Sequence, residues 1–118
     1  MIAFLTDVGL NDQYAASMNG VVLSLCPNAS ITVISHEVPC FNVRFASFLL
    51  LTSYKYFPLG TIFVVVVVPG VGKSIRPILI VSRNYYFIDP DNGVLVQAAE
   101  DDGIENVHLL NKSRSKYF

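Results

Sequence analysis

The chain predicts an α/β fold organised on a mostly parallel sheet, and three observations carry that prediction. Residues 64–68 are five consecutive valines. β-Branched side chains lose little by being held extended, and an apolar run without polar alternation belongs in a strand covered on both faces. Shorter apolar runs near residues 2 and 31 alternate with longer stretches of helical spacing, the order of βαβ units. Turn chemistry separates these elements: Asp7-Val8-Gly9 ends the first strand, Pro27-Asn28 the first helix and Pro69-Gly70 the valine strand.

Residues 2–6 read as a short strand, so Asp7 leaves from a strand's carboxyl end. Asn11 or Asp12 can cap a helix, because their side chains accept bonds from the free amides of a first turn. That helix runs to about Cys26, with Tyr14, Ala15, Met18, Val21, Val22 and Leu25 along one side. A second strand covers residues 31–34. A second helix over residues 43–54 is apolar nearly all round and must pack against more than one neighbour. The valine strand follows Pro58-Leu59-Gly60. Residues 78–82 and 85–88 read as strands around a turn at Arg83-Asn84, residues 94–99 as a short helix, and residues 106–110 as a last strand.

One domain is expected for 118 residues. Hydrophobic residues make up 53% and charged residues 14% of the chain, an apolar balance that points to a large buried interface. The longest apolar runs, residues 62–71 and 45–51, fall short of the roughly 20 residues a spanning helix needs. A net charge of −1 with no basic block argues against nucleic acid or an anionic membrane as partner. No signal peptide is visible, which suggests a cytoplasmic protein. Cys26 and Cys40 lack metal or redox spacing and are expected to be buried thiols.

Ligands of open α/β sheets sit at the carboxyl ends of strands, so the sites to weigh lie near residues 7–12 and 68–76. Gly72-Lys73-Ser74 has the second half of a phosphate loop. The leading glycine would fall at Val67, and an apparent strand follows instead of a helix, so that motif is not met. Asp7 reads either as a carboxylate for the two hydroxyls of a ribose or as a turn carboxylate. Asp12 reads as a helix cap or a ligand contact. His36 and Glu37 are adjacent and would face opposite sides of a strand, which argues against a paired acid/base role. His108 reads as a structural histidine.

Taken as a set, the motifs carry more. Ile2-Ala3-Phe4-Leu5-Thr6-Asp7-Val8-Gly9, Asn11-Asp12, Met18-Asn19-Gly20, Cys26-Pro27, Ser35-His36-Glu37-Val38-Pro39, Tyr56-Phe57-Pro58-Leu59-Gly60-Thr61, Pro69-Gly70-Val71-Gly72 and Pro90-Asp91-Asn92-Gly93 follow one order and spacing. The chain resembles the N-terminal domain of the S-adenosyl-L-methionine hydroxide adenosyltransferases, relatives of the fluorinase and chlorinase. The resemblance implies a Rossmann-like, mostly parallel sheet with helices on both faces. It also implies an incomplete chain in which residues 1–118 are the N-terminal domain and the β-rich C-terminal domain is absent. It implies attack of hydroxide at the ribose C5′ of S-adenosylmethionine, giving adenosine and methionine, with no cofactor or metal. Family members form trimers, with the active site between one subunit's N-domain and its neighbour's C-domain. Carried over by position, Asp7 would hold the ribose hydroxyls, Asp12 would lie near the methionine end, and Phe41 falls where the halogenases carry an aromatic residue.

Two positions depart from the hydrolase pattern. The family has Asp directly before Pro-Gly-Val-Gly, where this chain has Val68, and Arg three residues after the last glycine, where it has Ile75. Apolar side chains can neither position a water nor stabilise developing hydroxide, so impaired catalysis and weak binding of S-adenosylmethionine or adenosine are expected. The halogenases also lack the hydrolase pair but carry Tyr where this chain has Val68, so halide chemistry has some logic and little support. The other expectation is a non-catalytic interaction or assembly domain.

Overall fold

A computed structural model of the chain describes residues 1–6, 14–36, 38, 42–66, 77–89 and 95–110. Among these residues one six-stranded sheet is formed by β1 (Ile2–Thr6), β2 (Ile31–Ser35), β3 (Ile62–Val66), β4 (Ile78–Ser82), β5 (Tyr86–Asp89) and β6 (Ile104–Leu109), in the order β2-β1-β3-β5-β4-β6. The helices are α1 (Tyr14–Leu25), α2 (Val43–Ser53) and α3 (Val96–Asp102), and a 3-10 turn at Tyr54–Tyr56 extends α2. Strands β2, β1, β3 and β5 run parallel, as expected. β4 is antiparallel to both β5 and β6. The link from Ser82 to Tyr86 is too short for a crossover and can only close a hairpin. The connection from β1 to β2 and that from β2 to β3 step across the sheet in opposite directions. Right-handed crossovers therefore put α1 and α2 on opposite faces.

One face carries the core. Ala3, Leu5, Phe63, Val65, Ile78, Ile80 and Phe87 pack beneath Ala46 and Leu50 of α2 and Ala98 and Ala99 of α3. The three helix alanines keep both helices close to the sheet. Phe63 stacks on Phe87 with ring centroids 5.2 Å apart, and Phe57 and Tyr85 meet Phe63 edge-on. α2 starts at Asn42, whose Oδ1 accepts the Phe45 amide at 2.9 Å. The chain then turns into β3 through Gly60, whose φ of 85° suits glycine.

Three expectations are corrected. β3 is not covered on both faces: Phe63 and Val65 are buried, while Ile62, Val64 and Val66 are half-buried. In α1, Val21, Leu23 and Leu25 remain exposed as well. α2 does pack against β1, β2, α3 and the 3-10 turn, yet Phe45 and Phe48 stay exposed. Cys26 is exposed, because it follows the solvent-facing end of α1; Cys40 lies outside the described residues. His108 is likewise exposed, because β6 ends the sheet and all six of its residues face solvent.

Candidate functional site at the carboxyl edge of the sheet

The parallel register brings the carboxyl ends of β1, β2, β3 and β5 to one edge. Thr6 lies beside Val66, and Val64 beside Ile88, one residue before Asp89. Among the described residues three buried polar side chains mark this edge: Thr6, His36 and Asp89. Thr6 Oγ1 and His36 Nδ1 share a hydrogen bond of 2.6 Å, and the Phe4 ring lies 6.1 Å from the imidazole centroid. The Val38 amide donates to the Thr6 carbonyl at 3.2 Å. Burial lowers the pKa of His36 below its usual value, so the ring is neutral at pH 7. With Nδ1 engaged by Thr6, the imidazole is held in place as part of the strand-end structure.

These contacts follow from the local sequence. Thr6 is the polar end of an otherwise apolar strand, and its hydroxyl must find a partner once buried. His36 stands directly after β2, which pairs with β1, so it is the side chain available. The sequence singled out His36 and found no acid/base partner for it. The missed signal was the threonine in the neighbouring strand, and the 30-residue separation hid the pairing. Asp89 was missed as well. It closes β5, paired with Ile78 of β4, and is buried.

Asp7, Asp12 and Phe41, and the substituted positions Val68 and Ile75, lie outside the described residues, as do Lys73, Ser74 and Glu37. The described chain brings to the edge Thr6, the residue before Asp7, together with His36 and Val38. Among the described residues there is no cluster of three or more His, Cys, Asp or Glu that could hold a metal ion. Among them, too, no helix is long and apolar enough to cross a membrane.

Comparison with known proteins agrees with this arrangement. A crystal structure of an uncharacterized conserved protein from Thermotoga maritima superimposes with a TM-score of 0.88 at 42% identity, covering 94% of this chain and 43% of the other. The (R)-S-adenosyl-L-methionine hydrolase of Methanocaldococcus jannaschii is 35% identical over 98% of this chain and 46% of its own length. The protein of the same name from Salinispora arenicola is 39% identical over 83% of this chain and 37% of its own length. The chain thus spans less than half the length of these relatives. The profile of the SAM hydroxide adenosyltransferase N-terminal domain matches residues 2–118, and the chain belongs to that family.

Proposed function

We propose that this chain is the adenosyl-binding half of an S-adenosylmethionine hydrolase-like protein, with the site at the carboxyl edge of β1, β2, β3 and β5. The observation that supports it is the anchoring of Thr6 at that edge, directly before Asp7, in a domain of this family. In this reading Asp7 accepts the two ribose hydroxyls, Asp12 lies toward the methionine end and Phe41 packs near the ribose. Hydroxide attacks C5′, the new C–O bond forms as the C–S bond breaks, and the sulfonium sulfur leaves with the electron pair as neutral methionine. Val68 and Ile75 provide no group to orient or activate the water. Turnover by this chain is therefore impaired, and binding is the function it retains. A cytoplasmic location belongs to the same proposal, and so does a C-terminal β-rich domain as the missing half of the pocket.

Charge-assisted hydrogen bonds from two ribose hydroxyls contribute roughly 1.5–3 kcal/mol each, while immobilising a ligand costs at least about 4 kcal/mol. The surplus is small, so adenosine is expected to bind no tighter than about millimolar. NMR titration with adenosine and S-adenosylmethionine tests this. Millimolar binding weakened by Asp7→Asn supports the site. Micromolar binding, or shifts centred on Lys73 and Ser74, would place it elsewhere. Chromatography should show no adenosine formed above background, and formation abolished by Asp7→Ala would refute the impairment.

A second reading, assembly through the apolar surface, is favoured by the exposure of Leu23, Leu25, Phe45 and Phe48. In that case the chain forms a homo-oligomer, the family trimer being the expected state. Light scattering that gives a clean 13.0 kDa monomer over a wide concentration range would exclude it.

A further inference from the structure

The pairing of β1 with β2 breaks just before the proposed site. Phe4 lies beside Val33, but Leu5 lies beside Ser35, so Ile34 has no opposite number and the ladder slips by one residue. Beyond that slip β1 is held on the β3 side by regular pairing, where Thr6 lies beside Val66. On the β2 side, where Leu5 lies beside Ser35, described residues of the connection to α2 add two bonds: one between His36 Nδ1 and the Thr6 hydroxyl at 2.6 Å, and one from the Val38 amide to the Thr6 carbonyl at 3.2 Å. Thr6, His36 and Val38 are all buried.

Packing alone does not require this pair. Valine has the shape of threonine and would fill the same space without a hydroxyl to satisfy. Burying a hydroxyl and an imidazole costs roughly what the hydrogen bond between them returns, so that bond adds direction more than net stability. The next residue after the fixed threonine is Asp7.

We propose that His36 is a positioning residue of this site: through the Thr6 side chain it fixes the carboxyl end of β1, the residue directly before Asp7. Its bearing on ligand rests on the adenosyl reading above. Its bearing on the chain path does not.

Both parts can be tested on the 118-residue chain by amide NMR, with adenosine titration and urea unfolding alongside. Thr6→Val removes the hydroxyl and keeps the shape. His36→Gln presents its polar atoms where Nε2 stood and removes the bond to Thr6 Oγ1. In either variant the amide resonances of residues 7–12 should shift, and adenosine should bind about tenfold more weakly, the effect of one lost hydrogen bond's alignment. Thr6→Ser keeps the hydroxyl, and His36→Asn places an amide atom near Nδ1. Both should stay close to the unmodified chain. Ile80→Val, a core change in β4, should lower stability and leave both readouts where they were. If Thr6→Val does not fold, His36→Gln decides alone. Unmoved resonances over residues 7–12 in a folded variant overturn the proposal, whatever the ligand does. Resonances that move in a chain that never binds adenosine uphold the positioning role and overturn the adenosyl reading instead.

Discussion

The two faces of the sheet are built from the same strands and end up differently. On the face under α2 and α3, Leu5, Phe63, Val65, Ile80 and Phe87 are buried. On the other face Ile62, Val64, Val66, Leu79, Val81 and Ile88 are half-buried, and Val33 and Tyr86 are exposed; among its described apolar residues only Phe4 is buried. Composition does not separate the two, since both are β-branched and aromatic. The difference lies in what lies on top. α2 and α3 contact each other as well as the sheet, whereas α1 leaves its own leucines in solvent. A strand's burial is set by the layer stacked on it, and β3 shows both outcomes at alternate residues.

The largest expected effect lies at the centre of the closed face. Phe63 is fully buried between Phe87, Phe57 and Tyr85. Phe63→Ala removes a ring that three others pack against, and is expected to cost about 3–5 kcal/mol in urea unfolding. Against the 5–15 kcal/mol typical of a whole domain, that leaves a marginal protein. A cost below about 1 kcal/mol would show that this face is not the core.

A smaller effect belongs to the contact that ties α3 to the closed face. Asp102, the last residue of α3, accepts bonds from Ser82 Oγ at 2.6 Å, the Asn84 amide at 2.7 Å and Asn84 Nδ2 at 2.8 Å. Burial pushes its carboxyl up, but these bonds and the nearby Arg83 outweigh that and hold it below the ordinary value of 3.8. A depressed pKa means that its stabilisation is fully present above the unfolded value and fades as pH falls through the folded one. Asp102→Asn should therefore cost about 1–2 kcal/mol at pH 7. The gap from the unmodified chain should close in acid, below about pH 4. Thermal unfolding from pH 3 to pH 7 measures it, and a gap independent of pH would mean the carboxylate charge plays no part.

The valine run, the two first helices and the hairpin at Arg83-Asn84 were legible because each is specified locally, by periodicity, capping or turn residues. Expected residues 31–34 and 78–82 became β2 (Ile31–Ser35) and β4 (Ile78–Ser82) with little change. Two kinds of information were not local. One was which strands lie at the edge, which decides that β6 and its His108 are exposed. The other was which helix covers which residues, which decides that Val64 is half-buried beside a buried Val65. At the candidate site, Asp7 was singled out from its place after a strand, a rule of position. The Thr6–His36 pair could not be, because it needs the register of β1 against β2, and that register slips by one residue. The family resemblance added the family and the fold class, and none of these contacts.

The smallest effect makes the sharpest test of the two faces, because it compares adjacent residues of one strand. Valine and threonine are nearly isosteric and both favour strands, so Val→Thr changes little except the presence of a hydroxyl. At Val65, which is 1% exposed, the hydroxyl would be buried among hydrocarbon, at an expected cost of about 1–3 kcal/mol. At Val64 the side chain is half-buried and the hydroxyl can reach water, so Val64→Thr should change stability by no more than about 0.5 kcal/mol. Urea unfolding of both variants, with unchanged m-values, gives the comparison directly. The titration should be run at two protein concentrations. If Val64→Thr costs as much as Val65→Thr only at the higher one, a second copy of the chain covers this face in solution. An equal cost at both concentrations would mean that the chain covers the face itself, and the contrast between the two faces would fall.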